Sequence, residues 1–183
     1  MKKGINTASL ARIALGSAII TVTSWICVPS AVPFTLQTFG VFLVLCLLGG
    51  RLGCISVLVY VITGAVGFPV FSGFRGGIGV LFGATGGYVA GFILSALIFR
   101  LCVFIGRNSL AARIIGCVLG MAVCYAAGSL WYAATVTGSL AAGFLSSLGI
   151  CVVPFIIPDL IKIALAMIFA EVLRLRLGRK LIG

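Results

Sequence analysis

Six apolar segments divide the chain, separated by short runs of glycine, proline and basic residues. Within each segment the apolar residues are continuous and do not alternate with polar ones, which favours helices and disfavours a membrane β-barrel. The pattern predicts an all-α membrane protein, a single six-transmembrane-helix bundle. Its spans are expected at about residues 8–27, 36–49, 52–67, 84–105, 111–136 and 155–175.

Two of the six segments are short for a membrane helix. A helix needs about 20 residues to cross a hydrocarbon core of about 30 Å, and segments 36–49 and 52–67 have fewer. They must either extend into flanking residues or be partly shielded by protein. The third segment ends near Gly64 and Gly67, and the sequence predicts a loop after it that holds Pro69 and several glycines.

Composition supports the membrane class and sets an orientation. The 183 residues are 62% hydrophobic and 8% charged, whereas a soluble domain has about 25% charged residues. With six spans and a cytoplasmic N-terminus, the inner segments hold most basic residues and the outer segments hold only Arg75. Basic residues concentrate on the cytoplasmic side of membrane proteins, so both termini are predicted to be cytoplasmic, in the cell membrane. The inner residues are Lys2, Lys3, Arg12, Arg51, Arg100, Arg107, Arg113, Arg174, Arg176, Arg179 and Lys180.

The first segment has an alternative interpretation as a signal peptide. Lys2 and Lys3 precede an apolar core, and Val28-Pro29-Ser30-Ala31 resembles a cleavage region. The apolar stretch is long for such a peptide, which favours a retained span.

Several chemistries are disfavoured by the residues present. The chain has no histidine, seven scattered cysteines without a Cys-x-x-Cys pair, and two acidic residues, so metal cages and acid–base pairs are scarce. No metal, no cofactor and no enzymatic activity are expected. The basic residues fall between apolar runs, so the net charge of +11 does not indicate nucleic-acid binding. The absence of any Gly-Lys pair excludes a phosphate-binding P-loop.

Asp159 and Lys162 form the main candidate site. They lie three residues apart inside the sixth segment, where an ionised side chain costs roughly 2.5–3.5 kcal/mol unless it is paired or hydrated. On a helix such residues share one face. The pair either only locks the bundle or binds a small ligand that has both donors and acceptors. Pro158 suits the first turn of a helix, which predicts Asp159 at the outer N-terminus of the span.

A glycine-rich stretch leads into the fourth segment. Gly86, Gly87 and Tyr88 follow a run of glycines, and unpaired amides at a helix start can bind an anion. The alternative is helix packing, because glycines spaced by four, continued by Ser95, form a ridge of small residues. The fifth segment carries a similar ridge of small residues at 112, 116, 120, 124 and 128.

Further polar and small residues complete the candidate sites. Thr35, Gln37 and Thr38 offer neutral donors and acceptors beside Phe34 at the start of the second segment. In the first segment, Ala14-Leu15-Gly16-Ser17-Ala18 has small residues four apart, which indicates either internal packing or a docking face for another membrane subunit.

Four motifs follow one another along the chain. They are Val32-Pro33-Phe34-Thr35-Leu36-Gln37-Thr38-Phe39, Gly64-Ala65-Val66-Gly67-Phe68-Pro69-Val70-Phe71, Thr85-Gly86-Gly87-Tyr88 and Pro158-Asp159-Leu160-Ile161-Lys162. In this order they resemble the BioY family, the biotin-specific substrate-binding components of energy-coupling-factor (ECF) transporters. The resemblance covers about residues 5–175. Ala84, where the family usually has proline, and Arg75, in a loop that is more often uncharged, depart from the family pattern.

The resemblance implies a six-helix bundle that captures biotin from outside. It also implies a transmembrane coupling subunit, contacted through Ala14 and Ala18, and two cytoplasmic ATP-binding subunits. For such a ligand, Asp159 is expected to accept from a ureido N–H and Lys162 to donate to the ureido oxygen. The amides near Gly86, Gly87 and Tyr88 are expected to bind the carboxylate, with Gln37, Thr35 and Arg75 as further contacts. The reverse orientation, in which Lys162 holds the carboxylate, stays open.

Two other functions remain possible from the sequence. A stand-alone vitamin carrier would bind the same ligand without an ATPase partner. A non-catalytic structural subunit of a membrane complex would explain the glycine ridges, but it would not explain the charged pair within the sixth segment.

Overall fold

Seven α-helices and one two-stranded ribbon make up residues 6–28, 34–137 and 140–177, which this computed structural model describes. Strands β1 (Cys27–Val28) and β2 (Phe34–Thr35) pair in antiparallel fashion. A π-helical turn, Ala133–Thr137, extends the fifth helix. The helices are α1 (Thr7–Trp25), α2 (Gln37–Val66), α3 (Ile78–Leu81), α4 (Gly86–Ile105), α5 (Leu110–Tyr132), α6 (Leu140–Cys151) and α7 (Val153–Leu177).

Five helices of the described ranges are long and apolar enough to cross a membrane, namely α1, α2, α4, α5 with its π-helical extension, and α7. Their bounds agree within a few residues with the predicted segments. The chain is therefore a mostly helical membrane protein, as the hydrophobic pattern predicts.

Helix α2 folds back on itself at Gly49. This glycine has φ 76° and ψ 172°, a conformation that is essentially restricted to glycine. In a straight helix, Gln37 and Tyr60 would lie about 34 Å apart. Instead, Gln37 Nε2 donates to the Tyr60 hydroxyl oxygen at 2.9 Å. The second and third predicted segments are thus two helical arms, residues 37–48 and 50–66, that run antiparallel and meet at Gly49.

The first arm of this hairpin forms the centre of the molecule. All residues from Val41 to Leu47 are buried, and Gly40 packs against Ile20 and Thr23 of α1. Twelve helical residues rise only about 18 Å, less than the thickness of the hydrocarbon core. Because neighbouring helices cover this arm, its short length does not expose polar backbone to lipid, which agrees with the prediction that protein shields it.

Helices α4 and α5 pack closely along small residues. A Cβ added to Gly91 would lie 3.0 Å from the Cα of Cys124, so the two backbones nearly touch. The Ser95 hydroxyl donates to the Gly120 carbonyl oxygen at 2.6 Å. The ridges predicted in the fourth and fifth segments therefore face each other, and they bring the pocket-lining residues of both helices together.

The last helix begins earlier than the sequence predicts. Helix α7 starts at Val153, so Pro158 lies inside the helix and Asp159 lies in its second turn rather than its first. Pro158 removes one backbone hydrogen bond but does not end the helix, because its fixed φ is compatible with helical geometry. The favourable field of the helix N-terminus acts mainly on the first turn, so it contributes less to Asp159 than expected.

Two shorter helices, α3 and α6, are absent from the sequence prediction. Helix α3 has four residues and interrupts the glycine-rich loop after α2. Helix α6 occupies a stretch between the fifth and sixth predicted spans, where glycines and serines favour a loop. Its buried Ser147 donates to the Ser129 carbonyl oxygen, which fixes α6 against α5.

Basic side chains gather at the end of the bundle that carries the Gly49 turn. Gly50 packs against Arg100, and Arg174 Nε donates to the Leu47 carbonyl oxygen at 3.2 Å. Arg113 pairs with Glu171 at the same end, at 2.9 Å. The second arm of α2 runs away from this turn toward the opposite end of the bundle.

Candidate functional site

A cavity lies at the end of the bundle opposite the Gly49 turn. Side chains from strand β2, the start of α2, the loops on either side of α3, α3 itself, and helices α4, α5, α6 and α7 meet there. Its walls combine a few polar groups with a larger apolar surface, as is usual for small-ligand sites. The lining residues are Thr35, Gln37, Thr38, Phe71, Ser72, Arg75, Val80, Thr85, Tyr88, Val89, Phe92, Met121, Cys124, Tyr125, Cys151, Phe155, Asp159 and Lys162.

Asp159 and Lys162 form a buried ion pair on the cavity wall. Lys162 Nζ lies 2.9 Å from Asp159 Oδ1, and the two residues are only 6% and 5% exposed, respectively. The predicted common helix face is therefore present in the structure, and it points into an enclosed space. A buried pair of this kind needs further hydrogen bonds to offset the loss of hydration.

Lys162 supplies two further contacts to strand β2. Its Nζ donates to the Thr35 carbonyl oxygen at 2.7 Å and lies 3.7 Å from the centre of the Phe34 ring. An ammonium group has three protons; two are donated to Asp159 and Thr35, and the third faces the Phe34 ring. The side chain thereby ties α7 to the segment that precedes α2.

Tyr125 holds the other oxygen of Asp159. Its hydroxyl donates to Asp159 Oδ2 at 2.6 Å, across the gap between α5 and α7. Sequence reasoning missed this residue. Its position gave one signal: Tyr125 lies next to Cys124 of the small-residue ridge, inside α5, whereas membrane tyrosines usually lie near the ends of a span.

Gln37 and Thr35 line the cavity, as predicted, and they are themselves held in place. Gln37 Nε2 donates to Tyr60, which leaves the side-chain oxygen of Gln37 as an acceptor. The Thr35 hydroxyl oxygen accepts from the Gln37 backbone amide at 3.2 Å, at the start of α2. Thr38, on the next position, is buried and also lines the cavity.

Arg75 also lines the cavity, but it is exposed to solvent. It pairs with Phe71 through both backbone groups, and its Nε donates to the Ser72 carbonyl oxygen at 3.1 Å. The turn between them is anchored by Phe74, whose ring stacks on Trp25 with centroids 4.9 Å apart. These contacts place a cation at the mouth of the cavity.

Tyr88 lines the cavity, whereas Gly86 and Gly87 do not. The amides of Gly86 and Tyr88 already donate to the carbonyl oxygens of Gly83 and Thr85. A Cβ on Gly87 would lie 2.1 Å from Cβ of Trp131, so this glycine serves helix packing. Two of the three amides that the glycine-rich stretch led us to expect as anion donors, those of Gly86 and Tyr88, therefore already have partners within the chain.

The remainder of the cavity wall is mainly apolar. Val89 and Phe92 of α4, Met121 of α5 and Phe155 of α7 surround the polar groups. The Phe155 ring stacks on Phe34, with centroids 5.9 Å apart. An apolar ring or chain of a ligand therefore has complementary surface next to the buried carboxylate.

Ala14 and Ala18 lie away from the cavity, on an exposed face of α1. Gly16, between them, is buried, and a Cβ there would lie 2.6 Å from Ser56 Oγ. Of the two interpretations of this segment, internal packing therefore applies to Gly16, while the two alanines are available to lipid or to another protein.

The fold and the cavity define a helical membrane protein with a mostly apolar cavity that contains a buried ion pair. The model of the BioY family matches residues 1–179, and the chain belongs to this family. The resemblance that the four motifs suggest is thereby confirmed.

Individual relatives agree with this assignment. The chain is 39% identical over 165 residues to the biotin transporter BioY of Thermotoga maritima, which covers 88% of this chain and 92% of that protein. It is 42% identical over 140 residues to the probable biotin transporter BioY of Pyrococcus horikoshii, covering 76% and 79% of the two chains. A crystal structure at 2.1 Å of the S-component for biotin from an ECF-type ABC transporter has the same fold, with a TM-score of 0.80 at 24% identity over 95% of this chain and 94% of that chain.

Proposed function

We propose that this chain captures biotin and supports its uptake across the cytoplasmic membrane, as the substrate-binding subunit of an ECF transporter. It acts as a transporter subunit and not as an enzyme. The observation that carries the proposal is the buried Asp159–Lys162 pair inside a mostly apolar cavity. Membership of the BioY family and the names of the curated relatives support the choice of ligand.

The ureido ring of biotin binds at the buried end of the cavity in this proposal. Asp159 accepts from a ureido N–H, and Lys162 neutralises it. Lys162 also donates a hydrogen bond to the ureido oxygen. It uses the N–H that faces the Phe34 ring, because a ring is the weakest of the three acceptors around the ammonium. Buried polar groups left unpaired cost about 1–3 kcal/mol each, so a ligand without the ureido group is rejected.

The carboxylate of biotin then lies toward the cavity mouth. Arg75 is exposed there and supplies the opposite charge. Gln37 and Thr35 contribute neutral polar contacts nearer to the ion pair, and the Tyr88 ring contributes stacking surface. Gly86 and Gly87 are packing residues in this arrangement, because the amides of Gly86 and Tyr88 are already hydrogen-bonded.

The same proposal places the chain in the membrane. The two arms of α2 cross as separate spans, so five long helices give six crossings, and both termini are cytoplasmic. The cavity then opens to the outside, and the basic end around Gly49 faces the cytoplasm.

Membership of the BioY family suggests the partners, a transmembrane coupling subunit and two ATP-binding subunits. The sequence has no P-loop of its own, so in this proposal those subunits supply the energy of ATP. The exposed Ala14 and Ala18 permit close approach of a helix of that coupling subunit.

Calorimetric titration of the purified chain with biotin tests the site. We expect the wild-type protein to bind, and Asp159→Asn and Lys162→Ala to lose at least about tenfold in affinity, since each leaves a buried group unpaired. Glu171→Gln is the matched control, because it neutralises the other acidic residue, at the opposite end of the bundle. Wild-type affinity in both site variants would remove the site assignment.

Two further measurements separate the other functions. Biotin uptake in cells that lack any coupling subunit would favour a stand-alone carrier. Failure of the purified chain to bind biotin, together with tight co-purification of other membrane subunits, would favour a structural role.

A further inference from the structure

We infer that Tyr125 is a positioning residue that makes the site selective for a ligand N–H, an inference that rests on the proposed biotin function. Its hydroxyl and Lys162 hold the Asp159 carboxylate from two sides. The carboxylate is then fixed as an acceptor for the cyclic urea.

The direction of the Tyr125 hydrogen bond follows from the groups involved. An ionised carboxylate can only accept, so the tyrosine hydroxyl is the donor in the 2.6 Å contact with Oδ2. Lys162 donates to Oδ1 at 2.9 Å. Each carboxylate oxygen has two lone pairs, and one on each is thereby filled. The remaining lone pair on each oxygen can accept only from a further donor, which the ligand supplies.

The two donors come from different helices, which fixes the carboxylate in orientation. Tyr125 lies on α5, while Lys162 lies one turn beyond Asp159 on α7. Rotation of the carboxylate breaks one of the two charge-assisted hydrogen bonds. The apolar walls formed by Val89, Phe92 and Met121 offer no replacement donor.

Lys162 has no proton to spare for a second orientation of Asp159. Two protons go to Asp159 and Thr35, and the third, which faces the Phe34 ring, goes to the ureido oxygen in the proposed complex. Without Tyr125, Oδ2 keeps its burial but loses its protein donor. The Asp159 carboxylate can then rotate, and the lone pair that accepts from the ligand N–H no longer has a fixed direction.

The chemical consequence is discrimination at one ligand atom. A cyclic urea N–H donates to the held carboxylate, whereas a urea with a methyl group on that nitrogen has no proton to donate and adds bulk. The wild-type site therefore prefers biotin to its N-methylated analogue. Loss of the Tyr125 hydroxyl weakens the binding of biotin more than the binding of the analogue, so the ratio of the two affinities decreases.

Titration of biotin and of biotin methylated on the ureido nitrogens into wild type and Tyr125→Phe tests this inference. Removing one charge-assisted hydrogen bond is expected to weaken biotin about 10-fold to 100-fold and to reduce the ratio of the two dissociation constants by about 10-fold. Tyr132→Phe is the matched control on the same helix, since Tyr132 does not line the cavity, and it should change neither value.

The ratio separates positioning from a general structural role. If the substitution only destabilises the protein, both ligands bind more weakly by the same factor and the ratio of their dissociation constants is unchanged. That result would overturn the inference. Tyr125→Met, whose flexible side chain fills the same space without a hydroxyl, repeats the measurement should the phenylalanine variant not fold. Wild-type protein that does not bind biotin overturns the proposed function as well, whereas binding with an unchanged ratio in the variants overturns this inference alone.

Discussion

Asp159 and Lys162 illustrate what single charged residues require in the interior of a membrane protein. Each is nearly inaccessible to solvent, and each is satisfied by groups of other elements, Tyr125 for the acid and Thr35 for the base. The pair is therefore stable only as a unit. Removal of one member leaves the other as an uncompensated buried charge.

This argument predicts different outcomes for single and double neutralisation. Asp159→Asn alone and Lys162→Met alone should each destabilise the ligand-free protein by about 3–5 kcal/mol. The double variant should recover most of that loss, because no charge remains buried, yet it should not bind biotin. Thermal unfolding in detergent measures the stabilities. A double variant less stable than either single one would contradict the prediction.

The polar residues of the site differ in how far the sequence could reveal them. Asp159 and Lys162 could be found because charges are rare in apolar segments and their spacing puts them on one face. Tyr125 offered only its mid-span position as a signal, since its hydrogen bond to Asp159 depends on the approach of α5 to α7, which no local pattern encodes. Glycines before a helix suit both anion binding and close packing, and only the contacts of Gly87 with Trp131 decide for packing.

At the scale of elements, the hairpin of α2 depends on one backbone conformation. The hydrophobic pattern located the break between the second and third segments, because two adjacent glycines lie there. It did not show that a single residue, Gly49, is enough to reverse the direction of the chain between the two arms. The pattern also placed Pro158 in the first turn of the sixth span, since proline is common there, whereas α7 begins at Val153 and carries Pro158 inside the helix.

Gly49→Ala should destabilise the protein by about 1–3 kcal/mol, because a side chain is strained at φ 76° and ψ 172° even though a Cβ there meets no atom within 4 Å. Gly79→Ala is the matched control, as its Cβ is equally unobstructed and its backbone is helical. Thermal unfolding of both variants gives the comparison. Equal stability of the two would show that the turn tolerates an ordinary residue.

The two faces of α1 lead to a prediction about uptake. Ala14→Phe with Ala18→Phe adds bulk to the exposed face without entering the core, so biotin binding by the purified chain should be unchanged. Uptake in cells that contain the complete transporter should fall at least about tenfold, because close helix contact requires small residues. Ala122→Phe, on the exposed face of α5, is the control. Normal uptake by the α1 variant would contradict the proposed interface.

For the whole molecule, the two ends of the bundle differ in charge. Arg51, Arg100, Arg113 and Arg174 lie toward the Gly49 turn, while Arg75 lies at the mouth of the cavity. Such an asymmetry orients membrane proteins with the basic end in the cytoplasm. The hydrophobic pattern was sufficient to predict the helical membrane class, because hydropathy is a property of whole segments and does not depend on individual contacts. The orientation that the charge distribution indicates stays a prediction.

The number of crossings decides whether the two termini lie on the same side of the membrane. Five long helices, each crossing once, would put them on opposite sides; in the proposed topology the return of α2 at Gly49 adds a crossing and makes the number even. Fluorescent-protein fusions that fold only in the cytoplasm, attached at either terminus, should therefore both fluoresce. A reporter that is active only outside the cytoplasm, inserted beside Arg75, should be active, because the proposal places that loop outside. Fluorescence from only one terminus would mean that the buried first arm does not count as a crossing, and the cavity would then need a different orientation.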